Sequence, residues 1–177
     1  MKEVEIKILE IDKKEIIDKL KKAGAKKIFE GDVENIFYDF ENKRLFSQGK
    51  KLRLRKLGDR FQLTFKGKKE KGVAKIRDEY EVYFDDDTPI KKILEELGLR
   101  EINRYCVKHR ISFVIEDVRF EIDDFKKIPA YLEIEGPSVK KIKKYVKKLG
   151  FSMDDIKSYS SRDVFNHYGK KEEMIKS

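Results

Sequence analysis

Apolar residues recur along the chain with two different periods, and the switches between them divide it into helices and strands. Asp12, followed three residues later by Glu15, opens a run that sets Ile16, Ile17, Leu20 and Ala23 on one face and stops at Gly24. Thr88 and Pro89 open a second run, with Ile90, Ile93, Leu94 and Leu97 on its face and Gly98 at its end. Ser138 opens a third, through Val139, Ile142, Val146 and Leu149 to Gly150. Each apolar stripe is narrow, so each helix packs a single face on something else.

Between these helices the period falls to two, which predicts strands near residues 2–10, 35–41, 51–58, 60–66, 74–85, 104–116, 118–125 and 130–136. Gly58-Asp59, Glu116-Asp117 and the segment from Gly67 to Gly72 supply turns, so most neighbours can pair as antiparallel hairpins. The polar face of these strands is charged in strict alternation. Glu3, Glu5 and Lys7 oppose Val4, Ile6 and Ile8, while Arg53 and Arg55 oppose Leu52 and Leu54. Gln62, Thr64 and Lys66 oppose Phe61, Leu63 and Phe65, and Arg77, Glu79 and Glu81 oppose Ile76, Tyr80 and Val82. Glu121 and Asp123 alternate with Phe120 and Ile122, and Glu133 and Glu135 with Leu132 and Ile134.

Two architectures fit this pattern. In one, the charged face is the wet side of an open sheet, with cross-strand ion pairs worth only about 0.2–1 kcal/mol each. In the other, the strands close on themselves, the charged face becomes the interior and the helices cover an apolar exterior. The second accounts for helices with apolar stripes, so the expected fold is α+β: a closed eight-stranded antiparallel β-barrel with helices packed on the outside.

Length and charge narrow the chemistry. The 177 residues fit one domain, taken as residues 1–168, followed by a charged tail at 169–177 expected to fray. Charged residues make up 44% of the chain and the net charge is +9, which favours an anionic partner. A single cysteine, Cys106, excludes an internal disulfide and reads as a small buried or half-buried residue. No apolar run approaches the roughly 20 residues of a membrane span and no secretory signal opens the chain, so the expectation is a cytoplasmic protein with no membrane partner.

On the alternating faces, Glu3, Glu5, Glu79, Glu81, Asp123, Glu133 and Glu135 balance Lys7, Arg53, Arg55, Lys66, Arg77, Lys108 and Arg110, giving an interior expected to be neutral before any ligand enters. Hard divalent ions prefer carboxylate oxygens, and phosphate oxygens prefer Arg forks and Lys ammonium groups. A metal-bound polyphosphate engages both sets. No Gly-Lys pair sits in a P-loop spacing, and neither His109 nor His167 has neighbours that suit a base or metal ligand. The lysines from Lys140 to Lys148 read as a solvated helix face, with nucleic acid as the alternative partner, although no RNP1-like strand is present.

Glu3-Val4-Glu5-Ile6-Lys7, Leu52-Arg53-Leu54-Arg55, Thr64-Phe65-Lys66-Gly67, Glu79-Tyr80-Glu81, Lys108-His109-Arg110, Asp123 and Tyr131-Leu132-Glu133-Ile134-Glu135 together resemble the CYTH superfamily, the triphosphate tunnel metalloenzymes. The resemblance covers roughly residues 1–168. It implies an eight-stranded tunnel in which Glu3, Glu5, Glu133 and Glu135 hold Mg2+ or Mn2+. Lys7, Arg53, Arg55, Lys66, Lys108 and Arg110 would hold the phosphates. The alternation adds Arg77 to the phosphate set and Glu79, Glu81 and Asp123 to the candidate metal ligands, with Lys7 and Glu5 as candidate catalytic residues.

The implied function is metal-dependent chemistry on a small organic triphosphate, most like a class IV adenylate cyclase converting ATP to cyclic AMP and pyrophosphate. The alternatives are a triphosphatase acting on thiamine triphosphate, a nucleoside triphosphate or tripolyphosphate, and a non-catalytic polyphosphate- or RNA-binding module. Lys157-Ser158-Tyr159 resembles a C-terminal element of the cyclase-like members, whereas Ile128-Pro129 departs from the Leu-Gly that many relatives carry. A monomer or a homodimer is expected.

Overall fold

The computed structural model describes residues 2–68, 75–105 and 107–174, apart from the side chains of residues 2, 3, 75 and 76. Cys106 and the centre of the turn expected between Gly67 and Gly72 lie outside the described residues. Ten strands and five helices follow one another along the chain. They are β1 (Lys2–Ile8), α1 (Lys13–Lys22), β2 (Lys26–Phe40), α2 (Arg44–Ser47), β3 (Lys51–Leu57), β4 (Arg60–Lys66), β5 (Lys75–Phe84) and α3 (Thr88–Glu96). Then come β6 (Leu99–Arg104), β7 (Lys108–Ile115), β8 (Val118–Phe125), β9 (Ile128–Gly136), α4 (Val139–Lys148), β10 (Ile156–Lys157), α5 (Ser161–His167) and a 3-10 turn at Lys171–Met174.

Eight of the strands form a ring of antiparallel ladders in the order β1, β5, β4, β3, β2, β7, β8, β9. The ring closes because β1 pairs with β5 through Lys2–Glu5 and with β9 through Val4–Ile8. Closure leaves none of these strands with a free edge along its paired length, which is the usual way an all-antiparallel sheet hides its unpaired backbone groups. β10 and β6 add short ladders outside the ring, on β1 and β2 respectively.

Alternation then decides what faces where. Val4, Ile6, Ile8, Phe120, Ile122, Leu132 and Ile134 point outward and bury against Ile16 and Leu20 of α1 and Ile142, Tyr145 and Val146 of α4. A second outer cluster packs Leu94 of α3 on Ile36, Tyr38, Leu52 and Leu54. The hydrophobic core thus lies outside the barrel, and the intervening polar residues are left to fill the bore. The helix ends match the sequence expectation: Asp12 accepts the Glu15 N–H at 2.9 Å, and Ser138 accepts the Lys141 N–H at 3.2 Å. At α3 the cap differs, since Asp86, rather than Thr88, accepts a backbone N–H, that of Thr88, at 2.9 Å.

Three elements depart from the periodic reading. β2 starts at Lys26, well before the expected residue 35, because its first half pairs with β7 across an irregularity at Lys27/Phe29 that breaks the alternation. The expected strand at 104–116 is two strands, β6 and β7, which succeed each other along the same side of β2. The expected frayed tail is ordered through Met174, which is buried with Phe125, Ile128, Tyr131, Val164 and Phe165 at one end of the barrel. Burial of that one apolar side chain outweighs the charged composition around it.

Candidate functional site

All seven of the expected phosphate-binding cations reach one cavity inside the barrel: Lys7 of β1, Arg53 and Arg55 of β3, Lys66 of β4, Arg77 of β5, and Lys108 and Arg110 of β7. Glu5 and Glu133 are the carboxylates on its wall. Nine basic side chains and these two acids line it, so the cavity is cationic where the sequence count predicted neutrality. The remaining carboxylates sit behind the cations and hold them in place, which is why they do not show on the cavity surface.

Lys7 is almost wholly buried and bridges the two wall carboxylates, donating to Glu5 Oε1 at 2.6 Å and to Glu133. Burial alone would lower its pKa, but Glu133 and Glu5 outweigh burial and raise it above the ordinary lysine value. Glu133 shows the mirror effect: burial would raise it, and Lys7 and Arg110 hold it well below the usual carboxylate range.

Arg110 and Lys108 share Asp123 on the neighbouring strand β8, and Arg110 also pairs with Glu121. Both Asp123 oxygens are thereby occupied and none of its surface is exposed. Arg110 takes most of the available countercharge. Burial, reinforced by the adjacent Arg110, therefore pushes Lys108 down to about 7, against the pull of Asp123. Arg55 is depressed below its ordinary value for the same reasons, burial first and then the guanidiniums of Arg53 and Arg110.

Lys66 is paired with Glu79. Arg53 donates through Nη2 to Thr64 Oγ1 at 3.1 Å, and Arg55 donates through Nε to Asn35 Oδ1 at 2.9 Å. Arg53 Nε and Arg77 Nε are buried with no hydrogen-bond partner among the described residues. The nearest acid to Arg77, Glu79, lies 4.0 Å from its Nε. Arg55 and Arg110 also line a cavity toward the other mouth of the barrel, with Gln62, Tyr83, Arg119 and Glu121, so the bore runs past both residues.

Of the expected metal ligands, Glu5 and Glu133 meet at Lys7 Nζ. Glu135 faces Glu5 across the β1–β9 ladder and Arg119 across β8–β9. Glu3 lies opposite Arg77 in β1, and its side chain is outside the described residues. Asp123 and Glu79 are instead the countercharges of Arg110, Lys108 and Lys66, and Glu81 is an exposed residue linked to Thr64 at 3.3 Å. No cluster of three metal-ligating side chains occurs among the described residues. His109 is exposed on the outer face beside Asp32, as its alternation with Lys108 and Arg110 requires.

The cavity also contains residues that the strand pattern did not single out: Asn35, Phe37, Lys51, Tyr105 and the Ser160-Ser161-Arg162 segment. Phe37 and Asn35 share one face of β2, so their parity was readable. Tyr105 and Ser160 to Arg162 arrive from segments with no periodic signal, where only the folded chain brings them to the cavity.

The closed barrel, its apolar outer surface under helices and its basic bore place the chain among the tunnel-shaped proteins that the sequence resemblance anticipated. It belongs to the CYTH domain family, whose sequence model matches residues 1–159. The chain is 33% identical over 135 residues to the protein of Methanocaldococcus jannaschii named "Putative adenylate cyclase MJ0240", covering 76% of this chain and 77% of that one. Among solved structures, a protein of Vibrio parahaemolyticus with the same designation matches with a TM-score of 0.80 at 18% identity, covering 93% and 97% of the two chains. A Hippeastrum protein, also named for adenylyl cyclase and described as having a dominant triphosphatase activity, matches with a TM-score of 0.62 at 15% identity over 96% of each chain. No described helix is long and apolar enough to cross a membrane.

Proposed function

We propose that the protein is a divalent-metal-dependent phosphoryl-transfer enzyme acting on an organic triphosphate held in the bore. The observation that carries this reading is the pair of buried, unpartnered donors Arg53 Nε and Arg77 Nε on the cavity wall. A buried donor left unsatisfied costs about 1–3 kcal/mol, and phosphate oxygens are the acceptors for which guanidinium forks are shaped. The shortage of countercharge at Arg55 and Lys108 points to the same anionic ligand.

Arg53, Arg77 and Lys66 would grip the phosphate chain from β3, β5 and β4, while Arg55, Lys108 and Arg110 face it from the other side. Glu5 and Glu133, with Glu135 beside them, form a hard-oxygen donor set that fits Mg2+ or Mn2+. Such an ion, when bound, neutralises charge on the phosphate oxygens. Lys7 keeps these two carboxylates together while the site is otherwise unfilled, and its ammonium is then free to turn toward a phosphate oxygen. Phosphoryl transfer asks chiefly for charge neutralisation and in-line placement, which fixed cations on a rigid barrel supply.

The leading reaction is cyclisation of ATP, with the 3′-hydroxyl attacking the α-phosphorus and pyrophosphate leaving; it is supported by the name of the Methanocaldococcus relative. The second is hydrolysis with water attacking the γ-phosphorus, supported by the activity described for the Hippeastrum protein. Incubation of the pure protein with ATP, thiamine triphosphate and tripolyphosphate plus Mg2+ or Mn2+, followed by separation of products, tests both. Cyclic AMP with pyrophosphate supports the first and orthophosphate release supports the second. No product from any substrate with either metal would overturn the enzymatic reading.

A further inference from the structure

A second cavity opens beside the phosphate cradle, lined among others by Phe37, Tyr38, Phe46, Leu52, Ile102 and Tyr105. It shares Phe37, Lys51, Tyr105 and Arg162 with the cradle, so a ligand can lie across both. Its character is different. The cradle is walled by cations, whereas this cavity offers aromatic and aliphatic surface with the amide of Asn103 at its edge. At the junction the Phe37 and Tyr105 rings lie 4.5 Å apart, centroid to centroid, tilted by 44°.

Phe46 is the residue that gives this cavity a purpose. Its side chain is 56% exposed in a chain whose other surface is mostly charged. An exposed aromatic alone is ordinary, since much of any protein surface is apolar. This one is held in position: the buried Asp39 carboxylate accepts the backbone N–H groups of Phe40 at 2.7 Å, Leu45 at 2.9 Å and Phe46 at 2.9 Å. A buried acid is spent on pinning α2 to β2, and the aromatic that α2 carries lines the cavity beside the cradle.

We infer that this second cavity seats a planar heteroaromatic ring joined to the triphosphate, with Phe46 and Tyr105 as the surfaces on which the ring packs and Asn103 meeting its polar edge. The inference rests on the triphosphate reading of the cradle and adds the substrate class: a ring-bearing triphosphate in preference to inorganic tripolyphosphate. A purine nucleotide and thiamine triphosphate share this chemistry, and the substrate panel separates them.

The test compares kcat/KM for ATP, thiamine triphosphate and tripolyphosphate in the wild type, Phe46→Ala and Phe46→Tyr, with calorimetric binding of tripolyphosphate in parallel. The wild type prefers one of the ring-bearing substrates. Stacking lost at one aromatic lowers the ratio of that substrate to tripolyphosphate about tenfold in Phe46→Ala, mainly through KM, and Phe46→Tyr restores it. Preference for ATP identifies a nucleotide ring and preference for thiamine triphosphate a thiamine ring, either supporting the assignment. Tripolyphosphate bound and turned over as well as the ring-bearing substrates, or an unchanged ratio in Phe46→Ala, overturns this inference and leaves the cradle reading intact. Absence of both binding and turnover of all three overturns the cradle reading and this inference with it.

Discussion

Arg110 and Asp123 face each other across the β7–β8 ladder and bind through two parallel hydrogen bonds, Nε to Oδ1 at 2.6 Å and Nη2 to Oδ2 at 2.7 Å. With Lys108 on the same carboxylate, Asp123 anchors two cavity cations from behind. Its position in the sequence suggested a metal ligand; its partners make it a positioning residue for the phosphate cradle.

Asp123→Asn keeps the shape and removes the charge that neutralises both cations. Breaking one side of a buried ion pair costs about 3–5 kcal/mol, so urea unfolding should give a loss in that range. Arg110 and Lys108 hold the folded-state pKa of Asp123 below its ordinary value, although burial opposes them. The stability it contributes is therefore present above the unfolded carboxylate value and disappears as pH falls below it. Acid unfolding of the variant should be less steep over that window, and a wild-type profile would contradict the role.

Lys108 carries the pH prediction. Its folded-state pKa is lowered from 10.5 to about 7, so between those values the unfolded chain binds more protons and this group makes stability rise with pH. A phosphate beside the ammonium favours its charged form. Binding of tripolyphosphate near pH 8 should then take up a proton, and affinity should weaken as pH rises from about 7 to about 9. Calorimetry in two buffers of different ionisation enthalpy measures the uptake. Lys108→Met should abolish it; uptake that persists in the variant assigns the proton elsewhere.

Arg53→Lys keeps the charge and loses the planar fork, including the unpartnered Nε. A charge-assisted hydrogen bond contributes about 1.5–3 kcal/mol, so kcat/KM on the best triphosphate should fall roughly tenfold to a hundredfold, with thermal stability little changed. Equal kinetics for variant and wild type would remove Arg53 from the cradle.

Glu133→Gln replaces a charged hard ligand by an amide oxygen at the point where Glu133 and Glu5 meet on Lys7. The expected result is a rise of roughly tenfold or more in the Mg2+ or Mn2+ concentration needed for half-maximal activity, with a lower plateau. Titration of activity against each metal measures it, and a curve that superimposes on the wild type would take Glu133 out of the metal set.

Much of the barrel was legible because its signals are local. The inside-outside choice of β1, β3, β4, β5, β8 and β9 follows from a period of two, and caps at Asp12 and Ser138 depend on residues within one turn. The seven cations were readable for the same reason, since parity alone sends them to the face opposite the leucines and isoleucines.

Function-bearing detail came from contacts between distant segments. Lys7 and Glu133 meet although 126 positions separate them, because β1 and β9 close the ring. No alternation records which strands become neighbours, nor therefore which carboxylates are consumed by cations. Asp123 and Glu79 were indistinguishable from Glu5 and Glu133 until register set the first pair behind Arg110 and Lys66 and the second on the cavity wall. The aromatic cavity is the extreme case, assembled from β2, α2 and the segment after β6. The sequence by itself determined the charge and parity of the bore. Tertiary structure decided which charges remain available, because ion pairing acts over a few ångströms through space and not along the chain.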